Sequence, residues 1–147
     1  MPGLTALVSE GCFDSTARNA VNNALSATPG IVGSLSNAAL AFGGFNAAVT
    51  IIPAASLPAG TYRVSVYGVV TTTITTATSW AMALTYTDDQ GARTNTITTS
   101  STMTAGAIQG GSSLIRTTGA TALAVNLVAA SAGAGVVAYS VLVERVI

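Results

Sequence analysis

The sequence predicts an all-β protein: a jelly-roll-like antiparallel β-sandwich with an extended N-terminal arm. Three observations predict it. From residue 47 onward apolar residues alternate with small polar ones, the period of a strand with one buried face. Clusters of Gly, Pro, Asp and Thr break that alternation at short intervals. No stretch after residue 46 keeps helical spacing for more than two turns, so nothing supplies a βαβ crossover.

Residues 1–46 come first and read differently. They are rich in Ala, Asn, Gly and Ser, and their apolar residues are irregularly spaced. A short helix is expected at 15–25, capped by Asp14 or Ser15, with Ala17, Ala20, Val21, Ala24 and Leu25 on one thin face. Pro29-Gly30 and Gly43-Gly44 then interrupt the chain. The region reads as an arm that cannot bury its apolar side chains alone, with a first pair of strands of the same domain as the alternative. Leu4, Leu7, Val8, Phe13, Leu25, Phe42 and Phe45 are the residues it would press against another surface.

The body, 47–147, carries eight expected strands: 47–52, 61–72, 79–87, 93–99, 103–108, 113–117, 121–130 and 136–146. Pro53 and Leu57-Pro58-Ala59-Gly60, then Asp88-Asp89-Gln90-Gly91, Gly110-Gly111, Thr118-Gly119 and the Gly133/Gly135 run mark turns between them. Gly91 suits a hairpin position that needs positive φ. Alternation proposes the core: Tyr62, Val64 and Val66; Trp80, Met82, Leu84 and Tyr86; Leu123, Val125 and Leu127; Val137, Tyr139, Val141 and Val143. Each such side chain, fully buried, contributes about 1.5–3 kcal/mol.

Composition excludes many functions. Only 7% of residues are charged, against about 25% in an ordinary domain. Five Arg balance five Asp and Glu, with no Lys and no His. Without His there is no Ser-His-Asp triad and no imidazole metal ligand. One cysteine, Cys12, forms neither an intrachain disulfide nor a zinc cage, and reads as a reduced thiol. Five scattered Arg do not make a nucleic-acid stripe. Residues 117–143 carry no charge and are long enough for a membrane helix, but a small-residue turn at 131–135 splits them and both flanks alternate. Two strands are therefore expected there and no membrane partner. The N-terminus lacks a basic region and carries Glu10 and Asp14 early, unlike a signal peptide.

Candidate sites are few. Asp88 and Asp89 are adjacent, so on a strand they face opposite ways and read as a solvated hairpin tip. Two carboxylates without a third nearby make a poor calcium site. Gly33-Ser34 and Gly111-Ser112-Ser113 have no base to activate a hydroxyl, and no glycine pair precedes a helix as in a phosphate loop. The threonines of 71–78 alternate as on ice-binding strands, but no regular repeat supplies further ranks. Arg116 and Arg145 lie in apolar strands, with Glu144 beside Arg145; the reading is either an intersubunit ion pair of Arg116 or Arg145 with Glu144 or Glu10, or arginines that each snorkel to solvent. No catalytic, metal or cofactor residue is proposed.

The strand faces opposite the core carry Thr, Ser, Ala and Asn where a free monomer carries charge. Such a surface is expected to be covered in an assembly. Residues 47–147 also resemble small phage virion proteins, through Leu57-Pro58-Ala59-Gly60-Thr61-Tyr62-Arg63-Val64, the Trp80-bearing strand ending in Tyr86-Thr87-Asp88-Asp89-Gln90-Gly91, Ile115-Arg116, Gly119–Val125 and Tyr139–Arg145. They look like the β-sandwiches of tailed-bacteriophage head decoration (cement) proteins and of trimeric head-fibre or tail-fibre modules. The resemblance implies a non-enzymatic homotrimer on the outer capsid surface of a virion, made in the host cytoplasm, whose arms grip the major capsid protein or a neighbouring subunit. A receptor- or carbohydrate-binding fibre module and a major coat subunit are the alternatives.

Overall fold

Eight strands pair antiparallel into two four-stranded sheets. The structure is a computed structural model and describes residues 30–130 and 133–146. The strands are β1 (Gly30–Ala41), β2 (Ala48–Ile52), β3 (Gly60–Thr75), β4 (Trp80–Asp88), β5 (Gly91–Ser100), β6 (Ile108–Thr117), β7 (Leu123–Ala129) and β8 (Ala134–Arg145). Sheet A has the order β1-β8-β3-β6 and sheet B the order β2-β7-β4-β5. Apart from the β4–β5 hairpin, successive strands alternate between the sheets, and this interleaved order is that of the jelly roll.

The expected core forms. Tyr62, Val64 and Val66 of β3 and Val137, Tyr139, Val141 and Val143 of β8 point inward from sheet A. Trp80, Met82 and Leu84 of β4 and Leu123, Val125 and Leu127 of β7 meet them from sheet B. Tyr86, expected on the same face, packs at the margin and is only partly buried.

The body begins at Gly30 and not at residue 47. β1 lies along β8 from Gly30↔Arg145 to Ala41↔Val136. Its register slips between Ile31 and Gly33 and again between Asn37 and Leu40. Each slip moves the inward residues out of phase, so β1 shows no clean period of two in the sequence. Phe42 and Phe45, expected on an interface arm, are core residues, each 6% exposed. They flank a single 3₁₀ turn, Phe42–Gly44, and their rings stack at 4.6 Å. Asn46 follows at φ +62. Its amide donates to Leu127 O at 2.7 Å, and its side-chain oxygen accepts from the Ala129 amide at 3.2 Å.

Two other boundaries differ. Residues 108–117 form one strand, and Gly110-Gly111 lies inside it. A Cβ at Gly110 would stand 3.0 Å from Val66 O, and one at Gly111 would stand 3.0 Å from the Ile97 side chain. The glycines mark a close approach of neighbouring chain, not a turn. The preceding segment is a loop; its Met103 and Ala107 carbonyls accept from the Ile74 and Val70 amides of β3 at 2.8 and 2.9 Å. β3 itself runs on to Thr75, with Ile74 in the core. The expected hairpin is present: Asp88 pairs with Gly91 across the loop residues Asp89 and Gln90, and Gly91 has φ +115.

Candidate interaction faces and the charged end

The sandwich has two ends. One gathers the start of β3, the β4–β5 hairpin and the ends of β6 and β8. The other gathers the loops around Phe42–Ala47, Thr76–Ser79 and 101–107. Every charged residue among the described ones lies at the first end: Arg63, Asp88, Asp89, Arg93, Arg116, Glu144 and Arg145. The second end has none.

Antiparallel pairing brings these groups together. The Thr87 carbonyl accepts from the Thr118 amide at 2.9 Å and from the Thr117 hydroxyl at 3.1 Å, which ties the hairpin to the end of β6. Asp89 then meets the Arg116 guanidinium at 2.9 Å. Arg93 Nε donates to Asp88 at 2.7 Å, and that hydrogen bond holds the Asp88 carboxyl below the usual carboxylate range. Arg63 and Glu144 are neighbours on β3 and β8, 4.0 Å apart. Arg145 donates to Ala59 O at 3.2 Å.

The expected pairings were between subunits; within the single chain these groups have the following partners. Arg116 takes Asp89 and Glu144 takes Arg63, all within one chain. These pairs are exposed, where an ion pair contributes about 0–1 kcal/mol. Each described carboxylate stands against an arginine, an arrangement that neutralises charge and leaves no two carboxylates facing one substrate. Among the described residues no three metal-ligating side chains come together, and no helix is long and apolar enough to cross a membrane. Leu4, Leu7, Val8, Phe13, Leu25, Cys12 and the expected helix at 15–25 lie outside the described residues.

The broad faces carry what the sequence missed. On sheet A the outward rungs run Ile31–Glu144–Arg63–Leu114, then Ser34–Leu142–Ser65–Ser112, then Ser36–Ser140–Tyr67–Gly110. Among the described residues, Ile31, Val32, Tyr67, Ile108 and Leu114 are the large apolar side chains left exposed, and all five belong to sheet A. The outward face of sheet B has rungs Thr50–Ala124–Thr85–Thr94, Ala48–Asn126–Ala83–Thr96 and Val128–Ala81–Thr99, with no charge and, among the described residues, no exposed large apolar side chain. Alternation along β3 puts Tyr67 opposite Tyr62, Val64 and Val66, and could have flagged Leu114 as outward in the same way; nothing local says that they share a face with Ile31.

This is the class of protein the fold defines: a jelly-roll β-sandwich whose described charges gather at one end. No family model matches the chain, and no curated protein matches it. Among solved structures it is similar to the CBM22-1–GH10 modules of Clostridium thermocellum endo-1,4-β-D-xylanase 10B, crystallised with xylohexaose. There the identity is 16% over 78% of this chain and 26% of that one, with a TM-score of 0.43. It is also similar to the C-terminal family 22 carbohydrate-binding module of Clostridium thermocellum Xyn10B, at 18% identity over 80% of this chain and 84% of that one, with a TM-score of 0.42. This chain thus spans about a quarter of the first of these and most of the second.

Proposed function

We propose that the chain is a structural subunit of a virion: a capsid decoration protein that binds the outside of a phage head as a homotrimer and stabilises the shell. The observation that carries this reading is the segregation of charge. The described charged groups are confined to one end, so both broad faces beyond it and the whole opposite end are uncharged. A freely dispersed domain keeps about a quarter to a third of its surface charged. Large uncharged areas fit a protein whose faces are covered by other subunits. A decoration protein needs no catalysis; it stabilises the lattice by burying surface across its joints, through mass action and multivalency.

The test has two steps. Light scattering behind a sizing column is expected to give three chains per particle. Purified protein is then expected to co-sediment with expanded phage heads and to raise their disruption temperature. A monomer that leaves heads unbound and unstabilised overturns the reading.

One observation favours a second reading, a receptor- or carbohydrate-binding module of a fibre. Tyr67 is 46% exposed and lines a shallow groove with Ser36, Asn37 and Ser140. An aromatic ring flanked by hydroxyl and amide groups is the chemistry that stacks on a sugar. Glycan binding abolished by Tyr67→Ala, with no head binding, would select this reading.

A further inference from the structure

We infer that the outward face of sheet A is the inner wall of the trimer, with β6 of each copy meeting β1 of the next. The inference rests on the trimeric reading above and names the surface that makes it.

Singly scattered apolar residues on a surface need no explanation. Here the five large ones left exposed among the described residues all belong to sheet A, and that concentration marks an interaction surface. The order of the rungs says what covers it. Both edge strands carry an apolar residue on the rung Ile31–Glu144–Arg63–Leu114; Ile31 of β1 is 67% exposed and Leu114 of β6 is 62% exposed. Between them stand one anion and one cation, Glu144 toward β1 and Arg63 toward β6, 4.0 Å apart and both partly exposed. Arg116, farther along β6, is already held by Asp89 at 2.9 Å.

Three copies set around an axis along the strands keep every rung at its own height, so each rung meets the same rung of the next copy. Leu114 then meets Ile31 of the next copy, and behind them Arg63 faces Glu144 of that copy. Each copy offers a cation on one side and an anion on the other, so the ring closes with each charge opposite its complement. On the next two outward rungs Ser65 faces Leu142 of the next copy and Tyr67 faces its Ser140, small side chains against large ones. Four strands about 4.8 Å apart and about ten residues long make a face of roughly 600 Å² per copy before side-chain relief is added. A standard interface takes about 800 Å² per partner.

Full-length chains carrying Leu114→Glu or Tyr67→Glu, both at exposed positions of sheet A, are compared with Thr94→Glu on the outward face of sheet B. Light scattering behind a sizing column is expected to give three chains per particle for the wild type and Thr94→Glu, and one for each sheet A variant, with Trp80 emission unchanged. The two sheet A positions report independently, so a fold defect in one variant leaves the other decisive. A double variant, Ile31→Cys with Leu114→Cys, made with Cys12→Ser so that no other thiol is present, tests the geometry. In one chain these positions lie three strand spacings apart, about 14 Å, too far for a disulfide, so a bond between them joins two chains. Oxidation is expected to give covalent trimers on a denaturing gel; covalent dimers alone overturn the three-fold arrangement. A wild-type trimer that survives both sheet A substitutions overturns the inference and leaves the trimeric reading standing. A wild-type monomer also overturns the inference, and binding to phage heads then decides the decoration reading separately.

Discussion

The ring of Phe45 lies 6.3 Å from the indole of Trp80, tilted by 53°. Phe42 stacks on Phe45, and the three close the charge-free end of the sandwich. Truncating a buried Phe costs about 3–5 kcal/mol. Phe45→Ala is therefore expected to lower stability by that amount in urea denaturation, with the emission of Trp80, the sole tryptophan, shifting to the red. A loss below about 1 kcal/mol, the cost expected at the surface, would return Phe45 to an interface role.

Gly119 has φ +75, and a Cβ there would stand against Leu57 O at a distance no real Cβ adopts. Gly119→Ala adds both strain and a backbone clash, at a cost of about 1–3 kcal/mol. Gly43 has nothing within 4 Å of its own added Cβ. Gly43→Ala is expected to change stability by less than about 0.5 kcal/mol. Thermal unfolding of the two variants side by side checks the contrast, and equal midpoints would contradict it.

Thr76 sits at φ +69 in the turn between β3 and β4, a conformation a β-branched residue adopts only under strain. Its hydroxyl donates to Thr75 O at 2.6 Å. Releasing the left-handed strain gains about 1–2 kcal/mol, and the extra freedom of an unfolded glycine costs about 0.5–1 kcal/mol. Thr76→Gly is expected to raise the unfolding temperature by a few degrees. A lower midpoint would show that the hydroxyl outweighs the strain.

Burial pushes the phenols of Tyr62 and Tyr139 above their ordinary value of 10.0, with Arg145 partly offsetting this at Tyr62. The Tyr62 hydroxyl also donates to Pro58 O at 2.6 Å. A raised folded pKa means that the neutral phenol's contribution is fully present below about pH 10. It is lost as pH climbs through the higher folded values, because the unfolded chain ionises first. Urea midpoints are expected to hold from pH 7 to 9 and fall above pH 10, with Tyr139→Phe flattening the fall. A decline that begins below pH 9 would point to another group.

Much of the body was readable because its information is local. Alternation along 62–66, 80–84, 123–127 and 137–143 picks out the buried faces. The Asp88–Gly91 hairpin announces itself through turn chemistry. Where local pattern and packing part company, the reading failed. Two register slips hid β1, and a close chain approach made Gly110-Gly111 look like a turn. Phe42 and Phe45 looked like arm residues because their core partners, Trp80 among them, are distant in sequence.

The sequence by itself determined that this protein is a β-sandwich with almost no charge, no histidine and a core of alternating aliphatic and aromatic residues. Only the tertiary structure decided where the few charges and exposed apolar groups go. Antiparallel pairing puts residues 63, 116 and 144 at one end, and residues 31, 67, 108 and 114 on one sheet. The physical reason is that strand alternation fixes which side of a strand a residue faces, while its neighbours on that side are set by pairing register between segments far apart in the chain.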